Sequence, residues 1–414
     1  MRRRIVVTGI GAVTPFGVGI DKLWNGLKEG VSTANIIEHF DVSDFPTKFA
    51  CVVKDFKPEE YIDPKKIRRL DRFLQFVLVA AKLAVEDSKI DFKDIDPFRV
   101  GVVIGSGVGG LNTIENEAKV MFEKGPRRVS PFLIPMMIPD MASGMVAMEY
   151  GARGINFATV SACASGAHAI GVSFKSIKYG DVDVVITGGS EAAITPLGLA
   201  GFCQAKALST RNDDPKRASR PFDKNRDGFV MGEGAGILIL EELEHAKKRG
   251  AKIYAEILGI GMTDDAYHMT APEPTAEPQK KVMELAIIEG GIDKNSIDYI
   301  NAHGTSTKLN DKAETKAIKL LFGEEKARKI SISSTKSMIG HLLGASGAVE
   351  LISTILCINN SFIHPTINYE EMDPECDLDY TPNKGREKEI NYALSNSFGF
   401  GGHNVSILAG KYKD

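Results

Sequence analysis

The sequence has no two cysteines in a CxxC spacing, and its five cysteines, at 51, 163, 203, 357 and 376, are scattered and odd in number. That pattern excludes a disulfide framework or a zinc ribbon and fits a reduced, intracellular compartment. An excess of charge is also missing. The 51 Lys and Arg against 54 Asp and Glu leave a net −3, so no global field draws the chain to nucleic acid or to a membrane. Met1-Arg2-Arg3-Arg4 leads straight into Ile5–Gly9, too short an apolar stretch for a secretory signal or a membrane span, and a cytoplasmic protein is expected. No linker rich in Pro, Gly or Ser interrupts the 414 residues, so the two or three domains that such a length implies should pack intimately.

Short apolar runs alternate with longer segments of helical period, as in an α/β protein whose sheets are covered on both faces. Strands are expected at 5–8, 100–104, 182–187, 237–240, 253–258, 299–302, 330–333, 393–395 and 405–408, with helices at 72–88 and 345–358 among the segments between them. The run Ile5-Val6-Val7-Thr8-Gly9-Ile10-Gly11 is echoed by Ala255-Glu256-Ile257-Leu258-Gly259-Ile260-Gly261. A strand leading twice into Gly-Ile-Gly suggests duplicated halves, 1–250 and 251–414, with the seam at Lys247-Lys248-Arg249-Gly250.

Cys163 carries the most information. It follows the apolar stretch Ile155–Val160 and opens the small-residue run Ala164-Ser165-Gly166-Ala167, from which a helical period continues. A strand turning into a helix at a cysteine places the sulfur at the positive end of the helix dipole, where a thiolate is favoured. His303 ends an apolar strand and is followed by Gly304, while His341 follows Gly340 at the start of a helical pattern. One cysteine and two histidines at such ends suit thioester chemistry, with a thiolate attacking a carbonyl and imidazole N–H groups stabilising an oxyanion. Lys336 and Glu350 flank His341 in sequence and, if buried together, would form an ion pair that orients the imidazoles. The turn Asn396–Asn404 is glycine-rich and can present a backbone N–H to an oxyanion.

Two other motifs fail on inspection. Gly105-Ser106-Gly107-Val108-Gly109-Gly110 has the glycine spacing of a dinucleotide fingerprint, but no strand ending in an acidic residue comes after it at the ribose position. Asp223–Gly228 copies half of a calcium loop, yet its twelfth position is Gly234 instead of a bidentate Glu. The cluster Lys65-Lys66-Ile67-Arg68-Arg69 stands out in a mildly acidic chain and could dock an acidic partner, with Lys206 as a companion.

Taken in order, these residues resemble the elongating β-ketoacyl-acyl carrier protein synthases, in the form found in dissociated bacterial fatty-acid synthesis. The likeness runs from Val7–Gly11 through Gly188-Gly189-Ser190-Glu191, Pro221-Phe222-Asp223 and Gly232-Glu233-Gly234 to the final glycine turn. It implies a thiolase-like fold of two similar halves in α-β-α-β-α layers, working as a homodimer. It implies that Cys163 accepts the acyl chain, that His303 and His341 promote decarboxylation and condensation, and that Lys336 supports them near His341. By the same likeness Phe400 is a gate and an oxyanion donor, Thr305, Thr307 and Thr270 lie along the phosphopantetheine channel, and Val108 and Phe202 line the acyl pocket. The expected partners are acyl and malonyl forms of acyl carrier protein, docked at Lys65, Arg68, Arg69 and Lys206, with no cofactor, metal, nucleic acid or membrane. Ser165, Lys308 and His403 depart from the family pattern, where Thr, Pro and Thr are usual. A polyketide-type ketosynthase and a type I elongating synthase remain alternatives. A thiolase is more distant, because the final turn contains no second cysteine.

Overall fold

The computed structural model describes residues 3–413. Its main sheet runs in the order Ser331–Ser333, Tyr299–Asn301, Tyr392–Gly399, His403–Gly410, Ala255–Asp264, Ile5–Thr14, Gly234–Glu242, Val184–Glu191, Val100–Gly105 and Asn156–Phe157. Read outward from the centre, each half has its strands in the order first, fifth, fourth, second, third. In each half the first three neighbours are antiparallel and the outer pairings parallel. The halves meet where Ile5–Val7 pairs antiparallel with Ala255–Ile257.

The echo seen in the sequence has a packing cause. A Cβ on Gly9 or Gly11 would run into the backbone of the helix Arg72–Ser88, and one on Gly259 or Gly261 into that of the helix Glu277–Gly290. Gly-x-Gly therefore lets one outer helix lie against the first strand of each half. Between the two outer layers run the helices Ser165–Lys178 and Ser346–Asn360, which pack on strands of both halves and on each other. They complete the α-β-α-β-α layering of the thiolase-like fold.

The run Leu343–Asn360 is long and apolar enough to cross a membrane, yet it is almost wholly buried at the centre of this fold. A second repeat, not recognised in the sequence, lies at the start of the two central helices: Ala164-Ser165-Gly166-Ala167 and Ala345-Ser346-Gly347-Ala348. Each is entered through a short 3₁₀ turn at a residue of positive φ, Ala162 at 50° and Leu343 at 49°.

Most strands run longer than their apolar cores suggest, because glycine and polar residues at their ends are also buried. Ile5–Thr14 and Tyr392–Gly399 each extend by several residues. The stretch before Cys163 does the reverse. Only Asn156–Phe157 pairs in the sheet, at its edge, and Val160 is 60% exposed, so the nucleophile turn is fed by an irregular segment and not by a buried strand.

Gly105 ends the strand that lies under the start of the Cys163 helix, and a Cβ there would collide with the backbone of Ser165 and Gly166. Gly105→Ala should therefore lower unfolding stability by about 2–3 kcal/mol, read as a shift of the urea midpoint. An unchanged midpoint would mean that this contact relaxes freely.

Candidate active site

Cys163, His303 and His341 line one cavity of about 360 Å³, together with Phe202, Lys206, Thr270, Thr305, Thr307, Phe398 and Phe400. A shallower depression of about 740 Å³ beside Trp24 and Phe362 contains no cysteine or histidine. The sequence therefore marked residues that lie up to 237 positions apart, Cys163 to Phe400, and folding brings them to one wall.

Cys163 sits in the 3₁₀ turn Ala162–Ala164 that opens the central helix, 8% exposed. Ser165, one of the departures from the family pattern, ties this turn by accepting from Ser161 N–H at 2.9 Å and donating to the Ala162 carbonyl at 2.7 Å. The glycine turn folds over the nucleophile so closely that a Cβ on Gly399 would lie 3.2 Å from the Cys163 nitrogen, and the Phe400 N–H reaches the sulfur. The thiolate favoured by the helix start is opposed by burial. Burial pushes the Cys163 thiol up to about 12, while Lys336 and the Phe400 N–H pull the other way. Desolvation of the charged sulfur outweighs its nearby positive groups.

The two histidines face each other edge to face, ring centres 5.3 Å apart. His303 follows the strand Tyr299–Asn301, and its own N–H and that of Gly304 donate to Glu314 at 2.9 Å each. His341 is fixed through its backbone, its N–H donating to the Val230 carbonyl and its carbonyl accepting from Gly232 N–H. The ring nitrogens can be assigned from their partners. Lys336 Nζ, which can only donate, lies 3.3 Å from His303 Nδ1. Leu343 N–H donates to His341 Nδ1 at 3.3 Å, and the Ser346 hydroxyl lies 2.8 Å from the same atom. Both Nδ1 atoms thus accept, which leaves the proton of each neutral ring on Nε2. Burial first, then the charge of Lys336, holds both rings well below the usual imidazole range.

Lys336 and Glu350 are buried together as an ion pair. The lysine was expected near His341; its charge acts on that ring, and its hydrogen bond goes to His303. Val108 is not among the residues that line this cavity; its N–H donates to the Glu191 carboxylate and its side chain packs against the apolar cluster that contains Cys163.

The same carboxylate explains the glycine fingerprint. Glu191 accepts from the N–H groups of Gly107, Val108 and Gly109, from the Ser106 hydroxyl and from Gly344 N–H, so the glycine-rich loop wraps an internal carboxylate in the manner of a phosphate. Asp223 is likewise saturated, by Asn225, Glu370 and Glu371 N–H groups and by Arg220, and acts as a loop clamp. Lys65, Arg68 and Arg69 are exposed on and after the short helix Pro64–Ile67, whereas Lys206 belongs to the cavity wall. Lys308 is exposed on that wall, and the His403 ring packs on Gly401 within the glycine turn.

Sequence reasoning missed Glu191 as a clamp, Glu314 as the anchor of the His303 turn, and Ser346. Glu314 left a trace, since it shares the apolar face of its helix with Ala313, Ala317 and Ile318.

Comparison with known proteins gives the assignment. A model of the β-ketoacyl synthase N-terminal domain matches residues 2–246, and one of the β-ketoacyl synthase C-terminal domain matches residues 254–370. The chain belongs to the β-ketoacyl synthase family. It is 51% identical over 412 residues to a 3-oxoacyl-[acyl-carrier-protein] synthase 2 of Synechocystis, covering 100% of this chain and 99% of that protein. It is 49% identical over 413 residues to the protein of that name from Coxiella burnetii, with both chains fully covered. Among solved structures, a type II polyketide ketosynthase in complex with its acyl-carrier protein superposes with a TM-score of 0.93 at 37% identity, again over the whole of both chains. A β-ketoacyl synthase from Burkholderia phymatum gives 0.92 at 37% with the same coverage.

With Lys336 beside His303 and an N–H donor on His341 Nδ1, both imidazoles should stay neutral at pH 6, where a free imidazole is mostly charged. Nitrogen-15 NMR of histidine-labelled protein should find His303 and His341 as Nε2–H tautomers from pH 8 down to pH 6. An imidazolium signal from either ring in that interval would contradict the assignment.

Proposed function

We propose that this β-ketoacyl synthase elongates acyl chains by decarboxylative Claisen condensation, giving 3-oxoacyl-acyl carrier protein and CO₂, two carbons longer per turn. The observation that carries this reading is the convergence of Cys163, two Nε2–H imidazoles and the Phe400 N–H on one cavity.

In the first half-reaction the Cys163 sulfur attacks the thioester carbonyl of an acyl-carrier protein. The thioester C–S bond breaks, and the proton of the buried thiol ends on the departing pantetheine sulfur, so no net charge is left in the cavity. Backbone N–H groups of Cys163 and Phe400 hold the tetrahedral oxyanion, each such donor typically worth about 3 kcal/mol of barrier. Malonyl-carrier protein then occupies the channel beside Thr270, Thr305 and Thr307. His303 and His341 donate from Nε2 to its thioester oxygen, the bond to the carboxylate breaks, and its electron pair forms the enolate. That carbon attacks the acyl-Cys163 carbonyl, and one proton is taken up as the sulfur returns to a thiol. The electrons of the new C–C bond come from the bond that is lost, so the reaction calls for no redox cofactor.

Neutral histidines suit this role. A charged ring would hold the malonyl carboxylate in place, whereas an N–H donor in a dry site acts on the charge as it forms. The Lys336–Glu350 pair orients His303, and Phe400 gates the cavity as part of the glycine turn. Fatty-acid elongation is preferred to a polyketide role because the relatives named 3-oxoacyl-[acyl-carrier-protein] synthase 2 are 49–51% identical, against 37% for the type II polyketide ketosynthase structure.

The division at 1–250 and 251–414 places Cys163 in one half and the histidines in the other, and the repeated strand order supports it. A cytoplasmic homodimer completes the reading. The edge strand Asn156–Phe157 exposes Phe157, Val160 soon after it is exposed, and so is Met148 on the helix Met141–Tyr150 that packs against it, a surface suited to pairing with a second copy.

Cys163→Ser should fold normally and lose acyl transfer, since an alcohol is a far weaker nucleophile than cysteine near neutral pH. Intact-mass analysis after incubation with acyl-carrier protein checks this; an acyl adduct formed near the wild-type rate would remove Cys163 from the mechanism.

Charge reversal at Lys65 and Arg69 should lower kcat/KM for carrier-protein substrates more than for a small pantetheine thioester, because surface complementarity mainly raises the encounter rate. Added salt should shrink the difference, as exposed charges are screened over about 8 Å at physiological ionic strength. Equal, salt-insensitive losses on both substrates would assign these residues to the fold.

A further inference from the structure

Two lysines at the mouth of the Cys163 cavity carry charges that no described residue takes up. Lys206 and Lys308 both line the cavity and are exposed, as are Thr270 and Leu309 near them, whereas Cys163, His303 and His341 at its inner end are buried. Lys308 opens the helix Lys308–Phe322, and its backbone is pinned by buried Arg226, which donates to the carbonyls of Thr307 at 3.1 Å and of Lys308 at 3.0 Å. The other lysines of this helix are engaged: Lys312 with Glu375, Lys316 with the Pro274 carbonyl, and Lys319 with Asp377 and Glu324. Among the described residues the ammonium groups of Lys206 and Lys308 have no hydrogen-bond or ion-pair partner. The exposed carboxylate on the same wall, Asp227, accepts from Thr210 N–H at 3.1 Å and pairs with neither.

The position of Lys308 gives its charge a direction. The first turn of a helix is the positive end of its dipole, so a cation there adds to a field that an anion would relieve. The acid of that turn, Asp311, is buried and turned inward, accepting from Phe222 N–H at 2.8 Å and lying 3.5 Å from Arg226. Pro, the usual residue at this place in the family, brings no charge, so Lys308 adds a cation to the mouth that the common pattern lacks. The substrate proposed above brings an anion to the same place. A pantetheine arm is joined to its carrier protein by a phosphodiester, and with the thioester at Cys163 the other end of the arm lies toward solvent. We propose that Lys308 Nζ binds this phosphodiester, with Lys206 as a second cation on the same wall, so that the arm is recognised separately from the carrier protein's surface. This rests on the carrier-arm reading of the cavity given above. Both ammonium groups remain in water, so the contact is a charge-assisted one that salt weakens.

The test compares two small thioesters without any carrier protein. S-hexanoyl-pantetheine and the methyl phosphodiester of S-hexanoyl-phosphopantetheine, which carries the single negative charge of the natural linkage, are offered to the enzyme, and acylation of Cys163 is followed by mass. The wild type should prefer the phosphodiester by about five- to tenfold in kcat/KM at low salt, and the preference should shrink as salt rises. Lys308→Gln should lower it to about twofold or less, the remainder coming from Lys206. Lys308→Arg should keep the preference, and Lys312→Gln, the same charge change one turn along the helix, should leave it as in the wild type. A wild type indifferent to the phosphodiester overturns the proposal, as does an equal loss on both thioesters in Lys308→Gln. Erosion by Lys312→Gln as large as by Lys308→Gln would assign the effect to the general field of the surface and overturn it too. If Lys308→Gln slowed acylation only from acyl-carrier protein and left the small-substrate preference intact, Lys308 would belong to the protein-docking surface instead. Failure of the carrier-arm reading itself looks different: neither thioester would acylate wild-type Cys163.

Discussion

The Glu191 carboxylate is where the two halves of the molecule are held in register. It ends a strand of the first half, draws in the N–H groups of Gly107, Val108 and Gly109, and accepts from Gly344 in the turn that leads into the second central helix. Cys163 lies at one of these paired turns and His341 just ahead of the other, so their separation depends on this clamp. Burial raises the carboxyl's pKa, and its backbone donors oppose that shift. Both turns need glycine: a Cβ on Gly344 would strike Gly107 and Glu191, and one on Gly166 would lie 2.8 Å from the Gly344 carbonyl. The Cys163 and His341 turns can therefore approach each other only because two helix starts meet at backbone distance.

Around this frame the site is organised by charge that cannot reach water. Lys336 and Glu350 neutralise each other beneath the histidines, and Lys336 also fixes the tautomer of His303. Breaking one partner of such a pair leaves an uncompensated buried charge, which costs far more than the pair itself contributes. Glu314 plays a parallel role under the His303 turn, accepting from two backbone N–H groups and from Asn396, while burial pushes its own carboxyl up to about 7. These groups act on His303 and its turn, whereas the His341 ring is held by Leu343 N–H and the Ser346 hydroxyl.

The glycine turn forms a fastened lip to the cavity, with Asn404 Nδ2 just after it donating to Asp265 at 2.6 Å. Gly401 and Gly402 take φ values of 88° and 84°, which suit glycine, and the turn bonds back through Gly401 N–H to the Met269 carbonyl. The Cys163 turn, the glycine turn and the loop at Met269 are thus joined by hydrogen bonds across segments distant in sequence.

Much of this was legible in the chain. Cys163, His303 and His341 stood out because each lies beside glycine or small residues at the end of an apolar run, and Gly-Ile-Gly marked the duplication because one outer helix per half needs close contact with a strand. The sequence also spoke against a dinucleotide site, because no strand with an acidic end follows the glycine fingerprint at the ribose position. It could not supply which polar groups meet. That Lys336 bonds to His303, that Val108 packs against the cluster around Cys163, that Glu191 fills the glycine loop and that burial pushes the Cys163 thiol's pKa up all depend on contacts between residues far apart in the chain. Local pattern determines which segments become strands and helix starts, since those depend on neighbouring side chains and backbone sterics. The state of a buried titratable group depends on the partners it gains and the solvent it loses, and only the packed tertiary structure decides those.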